Sequence, residues 1–303
     1  MLAPITNNRN SRTASRFVGI SHYLRLFRIR QWSKNLFVFT GLLLSMQALD
    51  LVMVQHSIYA FLLFCGISST VYILNDMVDI EKDRLHPVKR YRPLPAGQIK
   101  VVYAAITAIV LCAGVLLLAY RLHMYFGITL SAYFLLNLLY SFKLKEYVFV
   151  DIIIISSGFV LRALSGILIV GAEISMWFLL SIAFLTLFLG VNKRKKELLL
   201  LKDGSKAHRK NLSQYSISMI NEMIPMLTAC TVLSYAFFII YESTSPYMII
   251  TIPMVLYGIF RYQYLTNQTE LGESPELVLL KDRPTVMIML LWAAMYGLNM
   301  GVL

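Results

Sequence analysis

Asn75-Asp76-Met77-Val78-Asp79-Ile80-Glu81-Lys82-Asp83 follows directly on a long apolar run and sets three aspartates at i, i+3 and i+7, with Asn75 four residues before Asp79. On an α-helix those intervals bring Asn75, Asp76, Asp79 and Asp83 to one face. Three like charges on one face repel unless something positive lies between them. An all-oxygen donor set suits Mg2+, which is commonly held by carboxylates together with substrate phosphates. The plainer alternative is a solvated helix end marking a membrane boundary, but a boundary requires no such register and favours Lys and Arg over Asp.

Composition fixes the surroundings of this cluster. Of 303 residues, 58% are hydrophobic and 15% charged, and the mean hydropathy is +0.66, whereas a soluble domain carries about 25% charged residues. The chain reads as an all-α polytopic membrane protein. Apolar stretches long enough to cross a hydrocarbon core of about 30 Å fall near 35–52, 57–75, 101–120, 124–141, 148–171, 174–191, 219–241, 246–264 and 285–303, nine in all. Residues 1–20 read as a polar basic arm with Arg9, Arg12 and Arg16, lacking the apolar segment and small-residue cleavage site of a secretory signal, and 21–303 as a single transmembrane unit. Cys65, Cys112 and Cys230 have neither metal-ligand nor pairing intervals and read as packing residues.

The connectors alternate in charge. The N-terminal region up to Lys34 and the 76–100, 142–147, 192–218 and 261–284 connectors hold 26 of the 28 Lys and Arg residues, leaving Arg121 on the opposite side and Arg162 inside a span. By the positive-inside rule the N-terminus and the basic connectors are expected to be cytoplasmic. The net charge of +12 is therefore an orientation signal, with some capacity to hold anionic headgroups, and gives no reason to expect nucleic acid.

Past Asp83 the chain continues Arg84-Leu85-His86-Pro87-Val88-Lys89-Arg90-Tyr91-Arg92-Pro93-Leu94-Pro95-Ala96-Gly97. The prolines and Gly97 end the helix, so a basic loop can fold back over the carboxylates. This pairing of acidic helix end and basic loop resembles the UbiA superfamily of intramembrane prenyltransferases: Asn75 to Asp83 matches its Asn-Asp-x-x-Asp-x-x-x-Asp motif, and Arg92 to Gly97 matches the stretch that follows. The resemblance implies a nine-helix bundle in which Asp76, Asp79 and Asp83 hold Mg2+ on a diphosphate, at a cytoplasm-facing cavity.

One departure narrows the resemblance. Where aromatic prenyltransferases of that superfamily carry a second Asp-x-x-x-Asp motif after the sixth span, this chain has Asn192-Lys193-Arg194-Lys195-Lys196-Glu197, then Lys202, Asp203, Lys206, Arg209, Lys210 and Tyr215. Consecutive cations cannot chelate a metal but can neutralise further phosphate groups. In this the chain is similar to the decaprenyl-phosphate phosphoribosyltransferase branch, as it is in Arg28-Ile29-Arg30-Gln31-Trp32-Ser33-Lys34-Asn35, Tyr140-Ser141 with Lys145, Asp151 through Ala163, Glu273-Ser274-Pro275-Glu276 and Asp282-Arg283-Pro284. The superfamily's Tyr-x-x-x-Lys after the fourth span is not matched: Leu144 stands at that offset from Tyr140, flanked by Lys143 and Lys145.

That resemblance implies transfer of 5-phosphoribose from phosphoribosyl diphosphate to a polyprenyl phosphate at a bacterial plasma membrane, with inversion at C1. Asp76, Asp79 and Asp83 are the expected catalytic metal ligands, and Asn75 positions the metal or the diphosphate. Lys89, Arg90, Lys143, Lys145, Lys193 and Arg194 are candidate phosphate clamps, with Tyr140 beside them. Arg28, Lys34 and Arg162 are candidates for the lipid phosphate or the ribose 5-phosphate. Asp151 and Arg162, eleven residues apart on one predicted helix, project from nearly the same face about three turns apart and are expected to line a polar cavity. Arg162 then meets either an anionic substrate or a carboxylate of a neighbouring helix. His86 reads as a base, a phosphate contact or a loop-packing residue. Ser156, Ser157, Gly158, Ser165 and Gly166 read as close-packing positions. Two other classes compete: an aromatic prenyltransferase, which would normally need the missing acidic motif, and a transporter of anionic lipid or metabolite, for which no internal repeat is evident.

Overall fold

The computed structural model describes residues 19–45, 50–202, 212, 214–243, 245–268 and 281–299. Most of the basic arm (1–18), Asp203, Lys206, Arg209, Lys210 and Glu273 to Glu276 lie outside the described residues. Every regular element among those described is helical: α1 (19–26), a 3-10 helix (Ile29–Phe39) running into α2 (Thr40–Leu44), α3 (Leu51–Val78), α4 (Ile80–Arg84), α5 (Val101–Leu122), α6 (Met124–Phe142), α7 (Val150–Val170), α8 (Met176–Lys202), α9 (Ile217–Glu242), α10 (Thr251–Gln268) and α11 (Arg283–Asn299). Helix satisfies backbone hydrogen bonds within the segment, which hydrocarbon surroundings require.

Seven helices are long and apolar enough to cross a membrane, six of them α3 and α5 to α9, and the seventh, Pro246–Asn267, containing most of α10. The chain is an integral membrane protein. Two expected spans differ in form among the described residues. The stretch at 35–52 begins as the end of the 3-10 helix, up to Phe39, and continues as the five-residue α2, and the last stretch is the shorter apolar helix Arg283–Leu298.

α7 is the central strut, packing against α2, α3, α6, α8 and the 3-10 helix. On one side of it Val38, Phe64, Ile67, Phe126, Leu130 and Tyr133 form an apolar core. On the other, Ile152, Phe188, Ile220, Leu227 and Ile259 form a second. The small residues of α7 permit this crowding: a Cβ at Gly166 would stand 1.8 Å from the Val38 carbonyl oxygen, and Ser156 and Ser165 hydrogen-bond across to α8 and α6. α5 lies outermost, with Ile106, Ile109, Val110 and Leu117 exposed as lipid-facing side chains. At the far edge Asp282 caps α11 through the Thr285 amide and hydroxyl and takes a two-pronged pair from Arg261 of α10.

Candidate active site

The aspartate stretch straddles a bend. α3 ends at Val78, Asp79 leaves the helical region at φ −96° and ψ 10°, and α4 begins at Ile80. The hydrogen-bond register nonetheless continues, Asp79 N donating to Asn75 O and Asp83 N to Asp79 O. Asp76 and Asp83 therefore stay on a common face, 1% and 3% exposed.

Each carboxylate takes a cation from a distant segment. Arg92 Nη1 donates to both Asp76 Oδ1 (3.0 Å) and Asp83 Oδ2 (2.6 Å). Arg28 also pairs with Asp76, its guanidinium lying 4.8 Å from the Tyr72 ring centroid and its backbone in the left-handed region at φ 51°. Lys89 stands 3.9 Å from Asp83. Lys145 Nζ donates to both oxygens of Asp79 at 2.7 Å. Four cations thus face three carboxylates among the described residues.

The triad does not converge on one point as the sequence register implied. Asp76 and Asp83 share the Arg92 nitrogen while Asp79 turns to Lys145, and among the described residues no three acidic, His or Cys side chains stand close enough to hold one ion. Repulsion between carboxylates is the physical reason: Asp76 and Asp83 are held together by the Arg92 cation they share, while Asp79 is stabilised by Lys145. The donor chemistry still fits a hard divalent metal, because two carboxylate oxygens already converge on a single cationic nitrogen.

Other expected clamps divide in a way that helix phase explains. α8 continues to Lys202, so the connector anticipated at 192–218 is helical as far as Lys202 and its consecutive cations there point about 100° apart. Arg194 turns inward, 2% exposed, to Asp151 Oδ2 (3.0 Å) and Glu197 Oε2 (2.5 Å), while Lys195 reaches Asn267 Oδ1 at 3.3 Å. Arg194 and Asp151, the latter fully buried, are thus partners in an ion pair. Lys193 is half-buried on the same turn, and Lys34, Asn75 and Tyr140 are likewise half-buried on their elements. Arg90 is exposed and stacks on Tyr91, away from the carboxylates. Lys143 is exposed; of the two lysines flanking Leu144, Lys145 is the one that meets the cluster. His86 Nδ1 accepts from the Val88 and Lys89 amides at 3.1 and 3.3 Å, which ties it to loop geometry.

Arg162 and Asp151 take different partners. Arg162 is 5% exposed and gives its hydrogen bonds to Asn35 Oδ1, the Gly158 carbonyl and the Tyr133 hydroxyl, all neutral groups. No carboxylate pairs with it among the described residues. Asn35 in turn donates to Ser68 of α3, eight residues before Asp76, so Arg162 lies about 12 Å deeper along that helix.

Two contributors escape the residue-by-residue reading. Arg92 stands in the sequence as one member of a proline-rich stretch, and only the fold reveals that it bridges two aspartates. Tyr215, from the segment before α9, accepts a hydrogen bond from the Phe149 amide (2.8 Å) and donates to Asp151 Oδ1 (2.9 Å). Burial pushes its hydroxyl well above the usual tyrosine range, the Asp151 carboxylate pushing the same way, so it stays a donor. Phe149 adopts φ 65° and ψ −39° with the Val150 amide bonded to the Val148 carbonyl, a γ-turn of positive φ that costs an L-residue about 1–3 kcal/mol.

A helical membrane bundle with buried acids facing basic loops fits an integral membrane transferase. The chain belongs to the UbiA prenyltransferase family, whose model matches residues 35–281. It is 32% identical to the decaprenyl-phosphate phosphoribosyltransferase of Mycolicibacterium smegmatis, covering 92% of each chain. It is 34% identical to the enzyme of the same name from Corynebacterium glutamicum, covering 89% of this chain and 83% of that one. The fold matches a UbiA homologue from Archaeoglobus fulgidus solved with GPP and Mg2+, with a TM-score of 0.72 at 22% identity over 92% of this chain and 99% of that one.

Proposed function

We propose that the protein transfers 5-phosphoribose from phosphoribosyl diphosphate to a polyprenyl phosphate, releasing diphosphate. The observation that carries this reading is the aspartate triad ringed by Arg28, Lys89, Arg92 and Lys145, cations drawn from separate segments to one acidic helix end. Full-length similarity to two phosphoribosyltransferases supports it.

Asp76, Asp83 and Asp79 would hold Mg2+, which when bound offsets charge on the departing diphosphate. Lys145, Lys89, Arg92 and Arg28 are near enough to these carboxylates to exchange them for phosphate oxygens, with arginine able to make two parallel hydrogen bonds. Release of diphosphate leaves positive character at C1 of the ribose, and the acceptor phosphate oxygen bonds there from the opposite face, inverting the centre. That oxygen is ionised at neutral pH, so no side chain has to remove a proton. Arg162, a buried cation bonded among the described residues to neutral partners, adds positive potential beneath the site that favours phosphate-bearing substrates. The excess of basic residues in the expected cytoplasmic connectors supports a site open to the cytoplasm of a bacterial plasma membrane.

Two tests follow. Purified protein with Mg2+ should consume phosphoribosyl diphosphate in the presence of polyprenyl phosphate, and should not prenylate an aromatic acceptor when given a prenyl diphosphate; the reverse preference would reject the reading. Lys145→Ala should raise KM for the donor by about tenfold, the value of one charge-assisted hydrogen bond, while Lys143→Ala stays within about twofold of wild type. Equal effects at the two lysines would remove Lys145 from the site.

A further inference from the structure

We propose that Tyr215 is a positioning residue for the donor: acting through the backbone of Phe149, it fixes the turn that delivers Lys145 to Asp79. The inference rests on the reading of Lys145 as a diphosphate contact, and it concerns a residue that touches neither substrate nor metal.

The connector between α6 and α7 is short and tightly wound. Glu146 N bonds to Lys143 O, Tyr147 N to Leu144 O, Val150 N to Val148 O and Asp151 N to Tyr147 O. Lys145 sits in the first of these turns and Phe149 in the last, so the backbone at Phe149 sets where the lysine-bearing turn leaves α7. Phe149 is one of two non-glycine residues with positive φ among those described, the other being Arg28, which contacts Asp76. A strained conformation persists only when its surroundings over-determine it. Here the hold is external: the Tyr215 hydroxyl accepts the Phe149 amide, and the two rings meet edge to face with centroids 5.5 Å apart.

Tyr215 is itself fixed. Its hydroxyl donates to Asp151 Oδ1, Arg194 Nε occupies Asp151 Oδ2, and Arg194 Nη1 is anchored by Glu197. Asp151 is fully buried and Arg194 nearly so, so the relay has little freedom. A support of this kind does no chemistry. It keeps Lys145 over Asp79, where both oxygens of the carboxylate are already engaged, and ready to exchange that carboxylate for a diphosphate oxygen. The segment joining α8 to α9 thereby acquires influence over donor affinity without touching the donor.

The test uses the full-length protein in detergent or nanodiscs, with amine-reactive labelling read by mass spectrometry at Lys145 and with exposed Lys143 as internal reference. Tyr215→Phe removes one oxygen and keeps the ring. Labelling of Lys145 should then rise at least about threefold relative to Lys143, and KM for phosphoribosyl diphosphate should rise about tenfold with kcat changed less than about threefold. Asp151→Asn is the contrasting variant. An amide oxygen still accepts from Tyr215 and Arg194 keeps Glu197, so the unfolding midpoint should fall while Lys145 labelling stays at the wild-type level.

Wild-type labelling in Tyr215→Phe, or labelling that rises in both variants in step with lost stability, would overturn the proposal by reducing Tyr215 to a packing residue. Should Tyr215→Phe not fold, Asp151→Ala, which removes the acceptor that fixes the Tyr215 hydroxyl, decides under conditions where it is folded: Lys145 labelling raised at least about threefold relative to Lys143 supports the coupling, and wild-type labelling refutes it. A distinct result bears on the underlying reading: if phosphoribosyl diphosphate with Mg2+ leaves wild-type Lys145 labelling unchanged, Lys145 is not a donor contact, whatever couples it to Tyr215.

Discussion

Asp76→Asn lowers turnover by at least about 100- to 1000-fold, the range seen when a preorganised electrostatic contributor to the transition state is removed, and leaves a folded protein. The two parts of this expectation have separate causes. The asparagine oxygen still accepts hydrogen bonds from Arg28 and Arg92, and Arg92 keeps Asp83, so the local packing survives. What is lost is a negative charge on a hard oxygen donor, and with it a share of the hold on Mg2+ and on the cations that surround it. Asp83→Asn should behave alike because Arg92 joins the two residues. Initial rates at saturating donor and Mg2+, alongside thermal unfolding in the same detergent, measure both parts. Activity within about threefold of wild type would remove the carboxylate from catalysis.

Gly166→Ala is expected to have the largest effect on stability. Its Cβ would stand 1.8 Å from the Val38 carbonyl oxygen and 2.7 Å from the carbonyl carbon, and across the same contact a Cβ at Gly41 would meet the Gly166 oxygen at 2.0 Å. These neighbours are backbone, so no rotamer change relieves the clash; the 3-10 helix carrying Lys34, Asn35 and Val38 must back away from α7. Overpacking of this severity costs about 3 kcal/mol, roughly 5–10 °C in unfolding midpoint for a chain of this size. Arg162 would also lose register with Asn35, so donor or acceptor affinity should fall with stability. Gly114→Ala is the control, because nothing lies within 4 Å of its added Cβ and alanine favours the helix interior. Equal midpoints for the two variants would reject the close-contact account.

How much of this was legible beforehand follows from the range of the interactions concerned. The acidic register was readable because its residues lie within nine positions of one another, and local intervals translate directly into a shared face. The membrane class was equally plain, since hydropathy and the distribution of Lys and Arg need no tertiary information. The choice between neighbouring cations was not readable. Lys145 and Lys143, or Arg92 and Arg90, differ in which carboxylate they reach, and each of those contacts depends on how the connector is folded against α3 and α4. Arg194 shows the same limit at a helix: four cations in a row look like one basic surface until the helix assigns each its own direction. The first apolar stretch misled for another reason. Its length fits a span, but its described backbone divides between the end of the 3-10 helix and the five-residue α2, where Val38 and Gly41 press against Gly166.

The fold adds detail that the sequence did not carry. Arg194 and Asp151 pair with each other, and Arg92 bridges two of the aspartates. The cations that meet the acidic cluster come from the loop after α4, the connector before α7 and the turn before the 3-10 helix.

The most direct measurement follows two labels in one reaction. Phosphoribosyl diphosphate carrying one isotope in the ribose and another in the β-phosphate is incubated with purified protein, Mg2+ and polyprenyl phosphate, and the organic and aqueous phases are separated. Ribose label entering the lipid phase while the β-phosphate label remains in water as diphosphate is the result predicted for phosphoribosyl transfer. Both labels remaining in water under conditions where the protein is folded and the substrates are bound, or the β-phosphate label entering the lipid, would contradict it.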